Sequence, residues 1–507
     1  MHGWSQPVRG SGVGIPASRN QVQVRMDFSS YKPSHAEKLA DIATSAGWQR
    51  WLDSDAAMAK LRDELLTPPG HPLPQSVVPA QLEELNGERV KGLIARGERD
   101  EDVLLAALSA WPTAWPEGQA PNITFLGLNL TMACNSDPRC VYCNQVWVEP
   151  TTPPAAWRRA IDSVTGTEPG RGPYIYISGG EPLLMGDLLY GGDGLIRRAT
   201  GRNADVNVNT NATLITPEVA LKLVAAGTAG LHISLDAADR ETQDALAGAP
   251  RFDRIVAGIH NVQIARDVLS VTHPVMHINC VMTKLNVFQF PELLRFLLDM
   301  KRLRSEGHEG PARGDPLFRD LGVHLIPVGG EENAAIRPSR GEFKRFFTET
   351  WDRACEVWDE HQSEVGTPED ERIGFNDYGF FTSPYHRPQH AGSLDEYVAG
   401  LASGVHSTLA LCERCYVAPS QSYVFPDGSQ YWCGAHTVSR PAPIGNINDS
   451  DVLANIKDNI AQLAQYPNEY CRNCAAATVY INQDTEKVLR KKIGEWVPES
   501  DKEAATA

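Results

Sequence analysis

From about residue 121 the chain repeats one unit, a short apolar strand, a loop and then a helix. Strand-like runs fall at 123–130, 174–178, 206–211, 231–236, 277–283 and 323–326. Strands alternating with helices at this spacing form a parallel sheet with right-handed crossovers. Six such units suit an α/β fold of the open, partial (β/α)6 barrel kind. The helix signals agree. Thr216-Pro217-Glu218 supplies an N-cap, a first-turn proline and an acid near the dipole, and Gly227 closes that helix. Barrels of this kind carry their chemistry at the carboxyl ends of the strands. There lie a three-cysteine loop, Glu181, Asn211 and Asp236.

The loop reads Cys134-Asn-Ser-Asp-Pro-Arg-Cys140-Val-Tyr-Cys143. An iron–sulfur cluster that only carries electrons takes four thiolates. Three leave one metal position open, which is what separates catalytic from structural metal sites. A zinc knuckle or three unrelated buried cysteines is the competing reading. About 35 residues on, the second strand runs into Ser178-Gly179-Gly180-Glu181-Pro182. Glycines let backbone approach a ligand closely, and a carboxylate there suits an ammonium group.

With both segments in view, the chain resembles the radical S-adenosylmethionine (SAM) superfamily. The resemblance implies that Cys134, Cys140 and Cys143 bind a [4Fe-4S] cluster whose fourth iron is chelated by SAM. It places Tyr142 against the adenine and Gly179, Gly180 and Glu181 around the SAM amino group. Ser234, in Ser-Leu-Asp, matches the position that meets the SAM carboxylate or ribose, and Asn211 matches a third-strand motif less specifically. The resemblance implies an arginine a turn or so after that Ser-Leu-Asp strand, which in many relatives pairs with the SAM carboxylate. Ala247 stands at the matching position, with Arg251 nearby. Five residues separate Cys134 from Cys140, where the family's commonest spacing has three.

Outside the barrel, residues 1–120 read as an N-terminal helical cap with a disordered start. Ser34-x-x-Glu37 is a capping box in sequence, and Thr67–Pro74 reads as a linker. No strand alternation occurs there, so no winged-helix peptide-recognition module is expected. The radical SAM core spans 121–340, and 341–408 is a helical connection whose Phe343, Phe347, Trp351 and Trp358 form a core stripe. The segment 409–485 carries Cys412-x2-Cys415, Cys433 and Cys471-x2-Cys474 around a hairpin turned at Pro426-Asp-Gly428. Alone it would pass for a zinc ribbon with Cys433 surplus. Beside the barrel it resembles the SPASM/Twitch extension of radical SAM enzymes, in the shorter one-cluster form. That resemblance implies a second, auxiliary [4Fe-4S] cluster on Cys415, Cys433, Cys471 and Cys474, with Cys412 a possible alternative ligand. Residues 486–507 read as a terminal helix and acidic tail.

Ten cysteines, eight of them in two groups, fit metal ligation in a reducing cytoplasm better than disulfides. A formal charge of −16 argues against a nucleic-acid partner, and no apolar run is long enough for a membrane span. The resemblance implies reductive cleavage of SAM to a 5′-deoxyadenosyl radical that takes a hydrogen atom from substrate. A flavodoxin- or ferredoxin-like donor would supply the electron. Of the substrates, a sugar or aminocyclitol that is oxidised or rearranged stands first. A ribosomally made peptide that is crosslinked or epimerised stands second, and a non-catalytic iron–sulfur or zinc scaffold third. No side chain is singled out as catalytic.

Overall fold

The computed structural model describes residues 26–70, 77–111, 122–166, 172–303, 320–372, 374–375, 393–404, 414–434, 441–473 and 476–498. Six parallel strands form the barrel wall: β1 Phe125–Thr131, β2 Tyr174–Gly179, β3 Asp205–Thr210, β4 Gly230–Ser234, β5 Val275–Met282 and β6 Gly322–Pro327. They adjoin in chain order, as right-handed βα units require. One face of each strand packs beneath the helices through residues such as Leu126, Ile177, Val208, Ile233 and Ile278. The other face lines the lumen.

The sheet does not end at β1. The expected hairpin forms as β7 Gln421–Val424 and β8 Ser429–Tyr431, and β7 pairs in parallel with β1. With β9 Gly445–Asn446 the sheet reaches nine strands. Gly127 permits this junction, because a Cβ there would lie 2.3 Å from the Tyr423 ring. The second cysteine segment therefore continues the barrel sheet instead of forming a detached domain.

The front helices occupy two places. Pro33–Ala43 packs with the barrel core through Leu39 and Ala43. Its expected capping box does not form. Pro33 takes the first helical position behind Lys32, whose ammonium pairs with Asp299 and Glu364 at 2.9 and 3.0 Å. Val77–Ala95 and Glu101–Leu108 instead share a second core with the terminal helix Ala476–Trp496, joined by Leu489, Ile493 and Tyr416. Part of the anticipated barrel cap thus belongs with the auxiliary segment. In the connection, Phe343 is buried and Phe347, Trp351 and Trp358 pack in the core as expected, while Cys355 is half-buried. Among the described residues no helix is long and apolar enough to cross a membrane.

Inside the barrel, His232, His277 and His324 on β4, β5 and β6 form a cluster with ring centroids 5.1, 5.3 and 5.5 Å apart. The Tyr174 hydroxyl lies 3.2 Å from His232 Nε2, and Tyr176 packs edge-on against the same ring. Burial depresses the His232 and His324 imidazoles, His324 to about 4. His35, His260, His273 and His361 are depressed as well, chiefly by burial.

These groups make stability pH-dependent. Below about pH 6.5 the unfolded chain binds protons that the folded imidazoles refuse, so stability falls between about 6.5 and 4. Asp236 and Asp267, both pushed up to about 6 by burial, and Glu181, also pushed up by burial, act in the opposite sense, but they are three groups against six. Denaturation midpoints should therefore drop between pH 7 and pH 5, each histidine adding at most about 1.4 kcal/mol per pH unit. His324→Gln should flatten that slope. A midpoint independent of pH would show that the imidazoles take up protons in the folded barrel.

Candidate active site

Two loops meet at the carboxyl ends of β1 and β2. Gly180 donates its N–H to the Thr131 carbonyl at 2.7 Å, and Glu181 donates to the Ala133 carbonyl at 2.8 Å. The approach is too close for any side chain. A Cβ on Gly179 would lie 2.2 Å from the Thr131 oxygen, and one on Gly180 would lie 2.1 Å from the Ala133 oxygen. Gly179 also has φ +147°, a conformation that favours glycine. This contact delivers the chain into Cys134 directly beside the Gly179–Glu181 turn.

The Glu181 side chain points into the fold. Its carboxylate is fully buried and accepts from Leu183 N–H at 3.0 Å, Thr210 Oγ1 at 2.8 Å and Asn211 N–H at 2.8 Å. Burial pushes its carboxyl up, and those three donors hold it back. Glu181 thus ties the β2 turn to the end of β3. Asn211 extends the tie, donating to Asn135 Oδ1 at 2.8 Å, with its amide nitrogen 3.8 Å from Cys134 Sγ. Its own oxygen accepts from the Thr213 hydroxyl at 2.6 Å.

Tyr142 reaches across the mouth. Its hydroxyl donates to Asp236 Oδ2 at 2.6 Å, and Val281 N–H donates to the other oxygen at 2.7 Å. Burial pushes the Asp236 carboxyl up to about 6 against both bonds. Gln145 reaches back to the Gly179 carbonyl, and Asn333 donates to the Tyr142 carbonyl at 3.2 Å. Ser234 ends β4 on the lumen side, opposite Asn279 in register. The predicted positions Tyr142, Gly179, Gly180, Glu181, Asn211 and Ser234 therefore gather at one end of the barrel.

The cysteine loop suits a cluster. Cys134, Cys140 and Cys143 are free thiols, and Cys140 feels both of the others. Burial, then Asp236, pushes the Cys140 thiol up, while Arg251 opposes. No three His, Cys, Asp or Glu side chains among the described residues converge on a single ion. Thiolates that each take a different iron of a cubane need not converge so. In the auxiliary segment, Cys433, Cys471 and Cys415 all bear on the Tyr466 phenol, whose rise is led by burial. Asn468 N–H lies 3.4 Å from Cys471 Sγ. Cys412 and Cys474 lie outside the described residues.

Sequence reasoning missed three features. Tyr142–Asp236 joins two residues 94 positions apart, which no local pattern announces. The lumen histidines alternate like any half-buried strand residue. Arg251 turns toward the cysteine loop, a contact with no sequence signature.

Residues 128–297 match the family model described as Radical SAM superfamily. Mycofactocin maturase MftC of Mycobacterium tuberculosis is 31% identical over 198 residues, covering 38% of this chain and 46% of that protein. The AdoMet-dependent heme synthase of Methanosarcina barkeri is 38% identical over 137 residues, 26% of this chain and 36% of that one. The chain thus spans about half or less of the length of the curated relatives it matches. Among solved structures, Streptococcus suis SuiB bound to S-adenosylmethionine aligns with TM-score 0.44 and 17% identity over 73% of this chain and 75% of that one.

A buried acceptor of three bonds tolerates an amide poorly. Glu181→Gln turns an N–H2 group toward a donor such as Asn211 N–H, and stability should fall by about 1–3 kcal/mol in chemical denaturation. Unchanged stability together with weaker SAM binding would instead give Glu181 the ammonium-holding role expected from the sequence.

Proposed function

We propose, from the match of residues 128–297 to the radical SAM superfamily model, that the chain is a radical SAM maturase acting on a ribosomally made peptide. The observation that carries the radical chemistry is the contact between the Cys134–Cys143 loop and the Gly179–Glu181 turn. When bound, the [4Fe-4S] cluster and SAM supply a 5′-deoxyadenosyl radical that removes a hydrogen atom from substrate. The chain's own residues provide the setting. Cys134, Cys140 and Cys143 would hold the cluster and leave one iron for SAM. Gly179 and Gly180 keep the β2 turn close to the loop, and Glu181 and Asn211 fix the two loops against each other. Tyr142, hydrogen-bonded to Asp236, and Ser234 form the opposite side of the mouth.

The substrate class is supported by the MftC relatives, whose name is that of a maturase. The mouth agrees with a chain-like substrate. Val141, Val146 and Trp147 after β1, Leu184 after β2 and Leu285 after β5 are exposed large apolar residues on the loops around it. This reverses the order expected from sequence, in which a sugar or aminocyclitol came first. A small-molecule substrate remains the second reading, favoured by the heme synthase relatives. Cys415, Cys433, Cys471 and Cys474 would hold an auxiliary cluster, with electron transfer or local structure as its role, and a flavodoxin or ferredoxin would reduce the barrel cluster.

Anaerobically reconstituted protein should be brown and release 5′-deoxyadenosine from SAM under a low-potential reductant. Cys140→Ala or Cys143→Ala should abolish that release and keep about four irons in the auxiliary site. Colourless protein holding only zinc would refute the radical reading. Turnover stimulated by a precursor peptide, but not by sugars or tetrapyrroles, is the outcome expected of a maturase.

The auxiliary ligands have their own test. In a variant lacking the barrel cysteines, Cys412→Ala should keep about four irons, whereas Cys415→Ala should lose the cluster. The reverse result would make Cys412 the ligand and Cys415 the spare thiol.

A further inference from the structure

The segment 246–251 cradles the cysteine loop at several points. The Leu246 carbonyl accepts from Val141 N–H at 3.0 Å. Gly248 ends the helix Arg240–Ala247 with φ +73°, and a Cβ there would stand 2.9 Å from the Arg139 carbonyl oxygen. Arg251 then enters the loop from below. It is only 7% exposed, which keeps its guanidinium out of bulk solvent. Nη2 donates to the Pro138 carbonyl at 2.9 Å, and Nη1 donates to the Ser136 hydroxyl and lies 3.8 Å from Cys140 Sγ. Arg251 is itself anchored, its N–H donating to Asp244 Oδ1 at 2.7 Å.

One planar fork therefore touches the loop at 136, 138 and 140, along the five-residue span that separates Cys134 from Cys140. A guanidinium is the side chain suited to this. It offers several donors in a rigid plane and stays charged at any working pH. Near a buried site its field is weakly screened.

We propose that Arg251 is a positioning residue for the barrel cluster, with two separable effects. Its fork fixes the path of the long loop so that the Cys140 thiolate reaches its iron. Its positive charge beside Cys140 raises the reduction potential of the cluster, since charge and hydrogen bonds at ligand sulfurs are levers on that potential. The proposal rests on Cys134, Cys140 and Cys143 holding the cluster. It differs from the role the family resemblance suggests for an arginine in this region, that of partner to the SAM carboxylate, because the donors of Arg251 are turned to the loop.

The test uses full-length, anaerobically reconstituted protein as wild type, Arg251→Lys and Arg251→Gln. The barrel cluster is recognised by the electron paramagnetic resonance signal that changes when SAM is added. Three quantities are read: the midpoint potential of that signal, the rate of iron loss to a chelator, and SAM affinity. Arg251→Gln should lower the midpoint and speed iron loss, with SAM affinity held within about threefold. Arg251→Lys keeps the charge but not the fork, so its midpoint should return toward wild type while iron loss stays fast. If Arg251→Gln retains no barrel cluster, the lysine variant decides, a wild-type midpoint supporting the proposal and a lowered one overturning it. An unchanged midpoint in a glutamine variant with its cluster intact overturns it too. So does a loss of SAM affinity beyond about tenfold with the midpoint unmoved, which would make Arg251 a SAM ligand. A wild type with no SAM-responsive signal would instead overturn the cluster assignment itself.

Discussion

Everything at the barrel mouth depends on a backbone contact too close for side chains. The turn after β2 lies against the residues leaving β1 through two N–H···O bonds, Gly180 to Thr131 and Glu181 to Ala133. Because Gly179 and Gly180 lack Cβ atoms, the turn sits where a larger residue would collide with carbonyl oxygens. The cysteine loop therefore begins at a fixed point relative to β2. Its further course is set by groups from later in the chain: Asn211 after β3, Asp236 after β4, and the 246–251 segment. Each is a hydrogen bond made in a half-buried or buried setting, where losing one partner strands the other.

Glu181 shows how such a site combines roles. A buried carboxylate is costly unless its oxygens are satisfied, and three donors satisfy it here. The same bonds lock the β2 and β3 ends together, so the acid that marks the motif in sequence acts in the structure as a fastener between strands. The Tyr142–Asp236 pair does similar work on the opposite side of the mouth, joining the cysteine loop to the β4 and β5 ends.

The second cysteine segment is bound to the barrel by the same means that build the barrel. β7 adds to β1 in parallel, and the Tyr423 ring enters the lumen over Gly127, beside Phe125. The terminal helix returns to pack with Val77–Ala95 and Glu101–Leu108, where Arg490 reaches Glu101 and Asp102 at 2.9 Å each. Exposed pairs of this kind contribute little on their own. The buried Leu82, Leu104, Leu105 and Leu489 hold that module together.

Much of this was legible in the sequence because it is local. The strand–helix alternation, the three-cysteine loop, the glycine pair before Glu181 and the Pro426–Gly428 hairpin each depend on residues within a few positions of one another. Apolar periodicity and turn chemistry act at that range. What the sequence could not determine is which distant groups meet. Pro33 displaced the Ser34 capping box in favour of Lys32 and its ion pairs with Asp299 and Glu364. Parallel pairing of β7 with β1 joins residues almost 300 positions apart, and nothing in either strand alone specifies it. Arg251 could have turned to the mouth or to the loop. The fold decided, because the helix end at Gly248 brings its guanidinium beneath Ser136, Pro138 and Cys140. Sequence fixes which groups are available to bond, and only the close packing of distant segments decides which of them are near enough to do so.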